Sequence, residues 1–142
     1  MILADILANQ AGQDKKLQKL LSKNVKLKKG ESFTDQNGLR AIADAMKTSP
    51  KGQDSKLLKA LNKGGYTSKY GATNSLEFYA EAFADHYRNE TKEAQYQGRP
   101  DKANKLAMLR NERNIISDLV IQRSRELFDD KDKRDALRAR FG

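Results

Sequence analysis

Three carboxylates stand four residues apart, at Glu77, Glu81 and Asp85, in the stretch SKYGATNSLEFYAEAFADHY (residues 68–87). Tyr70 lies just upstream, and His86, the single histidine of the chain, lies at the downstream end. Carboxylates in helical register can ligate a divalent cation or move protons. A carboxylate alone holds no catalytic metal, because hydrolytic zinc takes three protein ligands and keeps a fourth position open for water. Helix initiation also accounts for Glu77. With Asn74 as N-cap, Glu77 falls at N3, the position that completes a capping-box-like start. A negative charge there meets the positive end of the helix dipole, worth about 0.3–1 kcal/mol.

The element that must carry these side chains is a helix starting near Asn74 and stopped by Gly98-Arg99-Pro100. Its spacing predicts an inward stripe of Leu76, Tyr79, Ala80, Phe83, Ala84 and Tyr87, with alanines that admit a close neighbour. His86 is nine residues beyond Glu77, so at about 3.6 residues per turn the two side chains point in opposite directions. We expect His86 to be a partly exposed helix residue beside Ala82 and Phe83.

The segment TSKYGATNSLEFYAEAF resembles the C-terminal signature of the zincin metallopeptidases related to anthrax lethal factor, a segment also found in toxins and in phage and mobile-element proteins. In that family Tyr-Gly-x-Thr-Asn-x-x-Glu-Phe-x-Ala-Glu-Ala-Phe follows an HExxH helix. By matching positions the resemblance assigns Tyr70 to the tyrosine facing the reacting carbonyl and Glu77 to a zinc ligand. It assigns Glu81 to a second acid that orients the groups around the metal. The likeness spans about residues 66 to 87. The departure is chemical: HExxH supplies two imidazoles one turn apart and a base between them. This sequence has no HExxH, and NVKLKKGESFTD, where the family would carry it, has no histidine. The chain alone is therefore expected to need no cofactor, and to use zinc only if another segment supplies the histidines.

The rest of the chain reads as helices: 2 to 9, 14 to 27, 36 to 47 with Leu39, Ile42, Ala43 and Met46 on one side, 54 to 63 with Leu57, Leu58 and Leu61 inward, a long segment from 101 to about 128, and 131 to 140. Gly64 and Gly65 end the fourth helix. In the long segment Leu106, Leu109, Ile116, Val120 and Leu127 form a seam widened by Ile115 and Leu119, with Arg113 and Arg123 standing where apolar residues would continue it. GYTSKYGAT has room for one short extended pair. The fold class expected is all-α, mainly helical, with the C-terminal half zincin-like. Residues 1–63 form a basic helical N-terminal region and 64–142 the motif helix plus the C-terminal helices, together one domain.

The 142 residues include 37% hydrophobic and 33% charged, so the core is thin. Cysteine is absent, which excludes disulfide frameworks and thiolate metal sites. No run approaches the roughly 20 apolar residues of a membrane span, and MILADILA lacks the basic leader of a signal peptide. A net charge of +9 favours anionic partners. In DKKLQKLLSKNVKLKK, Lys15, Lys16, Lys19, Lys23, Lys26, Lys28 and Lys29 face one acid, Asp14, and could contact phosphates in a salt-dependent way. Leu17, Leu20 and Leu21 equally make it an amphipathic helix with a solvated or protein-facing basic side, and no interleaved aromatic points to base stacking. Arg110, Arg113, Arg123 and Arg125 alternate with Glu112, Asp118 and Glu126, a pattern of ion pairing along helix surfaces. DDKDKRD lacks the glycine and terminal glutamate of a calcium loop.

These features lead to three expectations. The first is a non-catalytic structural or interaction protein derived from a zincin-like domain, with a protein partner, in a phage virion or mobile-element setting within virion or host cytoplasm. The second is a split part of a zinc peptidase completed by an HExxH segment elsewhere. The third is a basic nucleic-acid-binding module.

Overall fold

The computed structural model describes residues 2–47 and 55–141, and within them the protein is all-α: eight α-helices, one short 3-10 turn and no strand. The Pro50 break and the Asp54 helix start lie outside the described residues. The opening apolar stretch forms α1 (Ile2–Ala11), in which every side chain from Leu3 to Ala8 is buried. A helix buried on nearly every side belongs inside a protein, and the one charge it buries, Asp5, is paired. α1 touches α2 (Lys15–Asn24), α3 (Gln36–Ala45) and α7 (Ile115–Asp129), and α2 touches α4 (Lys56–Lys63). The most extensive helix pair is α5 (Ser75–Tyr96) with α7; α6 (Ala103–Glu112) packs on α5, and α8 (Lys131–Phe141) on α7.

One cluster of buried residues joins α1, α2, α3, α4, α5 and α7, including Leu7, Leu21, Ile42, Leu58, Phe78 and Ile116. Each fully buried aliphatic or Phe side chain stabilises by about 1.5–3 kcal/mol relative to exposure. The starts are capped by polar side chains: Asp14 accepts from Leu17 N, Asp35 from Gly38 N, Ser55 from Leu58 N and Asn74 from Glu77 N. α4 ends in a Schellman arrangement, with Tyr66 N donating to Leu61 O at 2.9 Å and Gly65 N to Asn62 O at 3.1 Å. Gly65 holds φ +84, which a side chain would resist.

Four expectations change. First, GYTSKYGAT makes no extended pair, because local turns take its backbone groups: Ala72 N donates to Ser68 O and Thr73 N to Tyr70 O. Second, the basic helix stops at Asn24 rather than Leu27, with Val25 in extended conformation, so Lys26, Lys28 and Lys29 sit in the following loop. Third, the segment from 101 to 128 is two helices. Arg113 leaves the helical region, and Asn114 caps α7 through Ile116 N while donating to Tyr66 O at 2.6 Å. Fourth, α5 is turned about its axis: Phe78, Ala82 and His86 are buried, whereas Leu76, Phe83 and Tyr87 are exposed.

The turn of α5 has polar causes. The Tyr79 hydroxyl accepts from Leu3 N at 3.0 Å, fixing the start of α1 to α5. His86 is held inward by Asp118 of α7 at 2.8 Å. Arg123, which interrupts the apolar seam, reaches the buried Asp5 of α1 at 3.3 Å.

Candidate functional site

The start of α5 brings together the residues singled out by the family-like motif. Asn74 sets the helix start, and Glu77 stands in the first turn with the Tyr70 hydroxyl nearby. The Glu77 carboxylate, then the Glu81 charge, holds the Tyr70 phenol above its ordinary pKa. Tyr70 is 59% exposed. Gly71 lies close beneath α5: a Cβ there would stand 2.0 Å from Thr67 Oγ1 and 3.2 Å from the Glu81 Cβ. A side chain at position 71 would therefore displace the Thr67 hydroxyl and press on Glu81. Glu81 is turned along its own helix towards Arg88, whose Nη2 lies 3.3 Å away. Asp85 is 3.7 Å from the same guanidinium.

Beside this turn lies a polar hollow of about 380 Å³ between the 65–68 loop, α5 and the α6–α7 junction, with Thr67, Glu81, Asp85, Glu112 and Asn114 on its wall. Thr67 Oγ1 and Asp85 Oδ2 are both screened from solvent with no hydrogen-bond partner. Among the described residues, no three His, Cys, Asp or Glu side chains are grouped so as to hold a metal ion. The residues present do not fit zinc by themselves: Glu81 is drawn to Arg88, and the imidazole lies elsewhere, bound to Asp118.

That imidazole forms the second constellation. His86 is 7% exposed, not the partly exposed residue its sequence context implies. Its Nδ1 meets Asp118 Oδ1 at 2.8 Å, while Nε2 is buried without a partner. Asp118 also accepts from Arg113 Nη2 at 2.6 Å and from Arg113 Nε at 3.0 Å. Arg113 reaches on to Glu90 at 2.9 Å and Glu93 at 2.8 Å. Burial alone would raise the Asp118 pKa, but the hydrogen bonds from Arg113 and His86 outweigh it and hold the carboxyl below its ordinary range. Arg113 is shifted further up, chiefly by its bond to Asp118. The cluster ties α5, the α6–α7 junction and α7 into one unit. Its sequence signal was an arginine breaking an apolar seam at position 113.

The seven lysines divide. Lys15, Lys19 and Lys23 are exposed on α2, and Lys26, Lys28 and Lys29 are exposed after it. Lys16 has a structural partner: its Nζ donates to Gly64 O at 2.7 Å, at the C-terminal end of α4, and lies 5.6 Å from the centre of the Tyr66 ring. Tyr66 donates to Asp14 Oδ2 at 2.7 Å, and burial followed by that bond pushes its phenol up. No described helix is long and apolar enough to cross a membrane. Comparisons with protein-family models, curated proteins and solved structures find no match to this chain.

Proposed function

We propose that this chain is a non-catalytic structural or interaction protein, a helical scaffold of zincin-like descent in which Tyr70, Glu77 and Glu81 serve as architecture. The observation that carries this reading is that α5 is apolar on two opposite sides. Phe78 and Ala82 are buried, while Leu76, Phe83 and Tyr87 on the other side face solvent beside the Tyr70–Glu77 pair. A contiguous exposed apolar face marks an interaction surface. The pairing of Glu81 with Arg88 and of His86 with Asp118 supports the architectural role, since both groups are engaged away from Glu77. The protein setting is a phage virion or mobile-element assembly, which rests on the family likeness and the positive charge.

The experiment is a peptide-hydrolysis assay of the purified chain with and without added zinc. The reading expects no zinc-dependent cleavage; cleavage that is lost in Glu77→Gln contradicts it. A second reading, a split peptidase, is favoured by the exposure of Tyr70, which leaves the Glu77 end of α5 open to a histidine-bearing segment. Adding such a segment separates the two, since the split enzyme gains zinc-dependent proteolysis and the scaffold gains none. The exposed lysines around α2 favour a third, contact with nucleic-acid phosphates, tested by salt-dependent binding.

A further inference from the structure

Successive residues of an α-helix turn by about 100°, so Tyr87 lies roughly opposite Phe78 on α5. Around that outer line stand Leu76, Ala80, Phe83, Ala84 and Tyr87, continued by Thr91 and Ala94, all exposed and none charged. At 1.5 Å per residue the strip is roughly 27 Å long. Leu76 is 75% exposed and Tyr87 49%. Glu77 and Arg88 stand along one margin of the strip, the acid in its N-terminal part and the base in its C-terminal part, and Glu90 stands on the other margin.

We propose that a second copy of this chain docks on this strip, α5 against α5 in antiparallel orientation, about a two-fold axis passing between Phe83 and Ala84. In a two-fold interface each residue pairing occurs twice. That register seats Phe83 on the second copy's Ala84, Tyr87 on the second copy's Ala80 and Leu76 on the second copy's Thr91, each large side chain on a small one. A shallow hollow of about 460 Å³ bounded by Ala84, Tyr87, Arg88 and Thr91 lies where the second copy's Leu76 arrives.

Packing and charge agree on the orientation. The same margin of both helices meets itself in reverse, so Glu77 of each chain comes opposite Arg88 of the other. A parallel two-fold pair would instead set Leu76, Phe83 and Tyr87 each against its own copy, large on large. Arg88 already pairs with Glu81 and Asp85 of its own chain but is 58% exposed, which leaves room for another acid to approach.

This inference rests on the reading of the outer face of α5 as an interaction surface, and the two fail separately: a monomeric chain ends the dimer, whereas zinc-dependent cleavage ends that reading. The chain has no cysteine, so introduced thiols report alone. Leu76→Cys and Thr91→Cys chains are mixed and oxidised, with self-association followed by sedimentation equilibrium. The expected result is a mixed disulfide in about tenfold excess over either homodimer, because docking raises the effective concentration of the two thiols. Phe83→Lys added to both chains abolishes that excess while helical circular dichroism is unchanged. Two results overturn the proposal: a monomer at roughly 100 μM, where even a micromolar interface is well populated, or a dominant Leu76→Cys homodimer, the signature of parallel pairing.

Discussion

Asp118 is the side chain on which most depends, since it binds Arg113 twice and His86 once. Its carboxyl is held below the ordinary range in the folded protein, so the stability it contributes is present above the ordinary value near 3.8 and is lost as pH falls through the folded value. Asp118→Asn should therefore lower stability at pH 7 by about 1.5–3 kcal/mol, the worth of hydrogen bonds to charged groups. It should also remove part of the acid-side decline in melting temperature, which melts across the acid range would reveal as a flatter curve. Tyr70→Phe should behave differently. Its hydroxyl is at the surface, so thermal melting should show a change within about 0.5 kcal/mol. Glu77 itself was legible as an N3 residue from Asn74 alone. The Asp118–His86 bond was not, because it joins residues 32 apart in sequence and no local pattern encodes which way α5 and α7 face.

At the scale of elements, capping residues and glycines marked most boundaries. Asp14, Asp35 and Asn74 stand where the starts are found, and Gly64-Gly65 where α4 ends. Asn74→Ala should cost about 1 kcal/mol through loss of the bond from Glu77 N, readable by urea denaturation. Gly38→Ala should cost more, about 1–3 kcal/mol, because a Cβ there would stand 1.8 Å from the Ser32 backbone oxygen and the turn before α3 would have to move. The same denaturation curves check it. What the pattern misjudged was the buried side of α5. Hydrophobicity ranks Leu76, Phe83 and Tyr87 above His86, but His86 with Asp118, and Tyr79 with Leu3 N, bring hydrogen-bonded polar groups inward. Two apolar sides on one helix give no single answer to a periodicity argument. The split between α6 and α7 was hidden for a related reason: Arg113 and Asn114 end one helix and start the next through side-chain bonds, not through glycine or proline.

For the whole molecule, a central apolar α1 and the α5–α7 pair leave a basic surface at one end of the sequence and an uncharged strip on α5. If the lysines of α2 and its following loop bind phosphates, duplex binding should weaken steeply between low and moderate salt, by the release of counterions. Lys19→Ala with Lys23→Ala should then reduce that slope by about two, one for each phosphate no longer neutralised, whereas Lys16→Ala should instead loosen the packing of α2 on α4. The central claim is that the motif of Tyr70, Glu77 and Glu81 persists as architecture without metal chemistry in this chain. Native mass spectrometry of the purified protein titrated with zinc tests it most directly. The account predicts the mass of the metal-free polypeptide, with zinc adducts no more frequent than in Glu77→Gln; one tightly held zinc per chain, absent from Glu77→Gln, would contradict it.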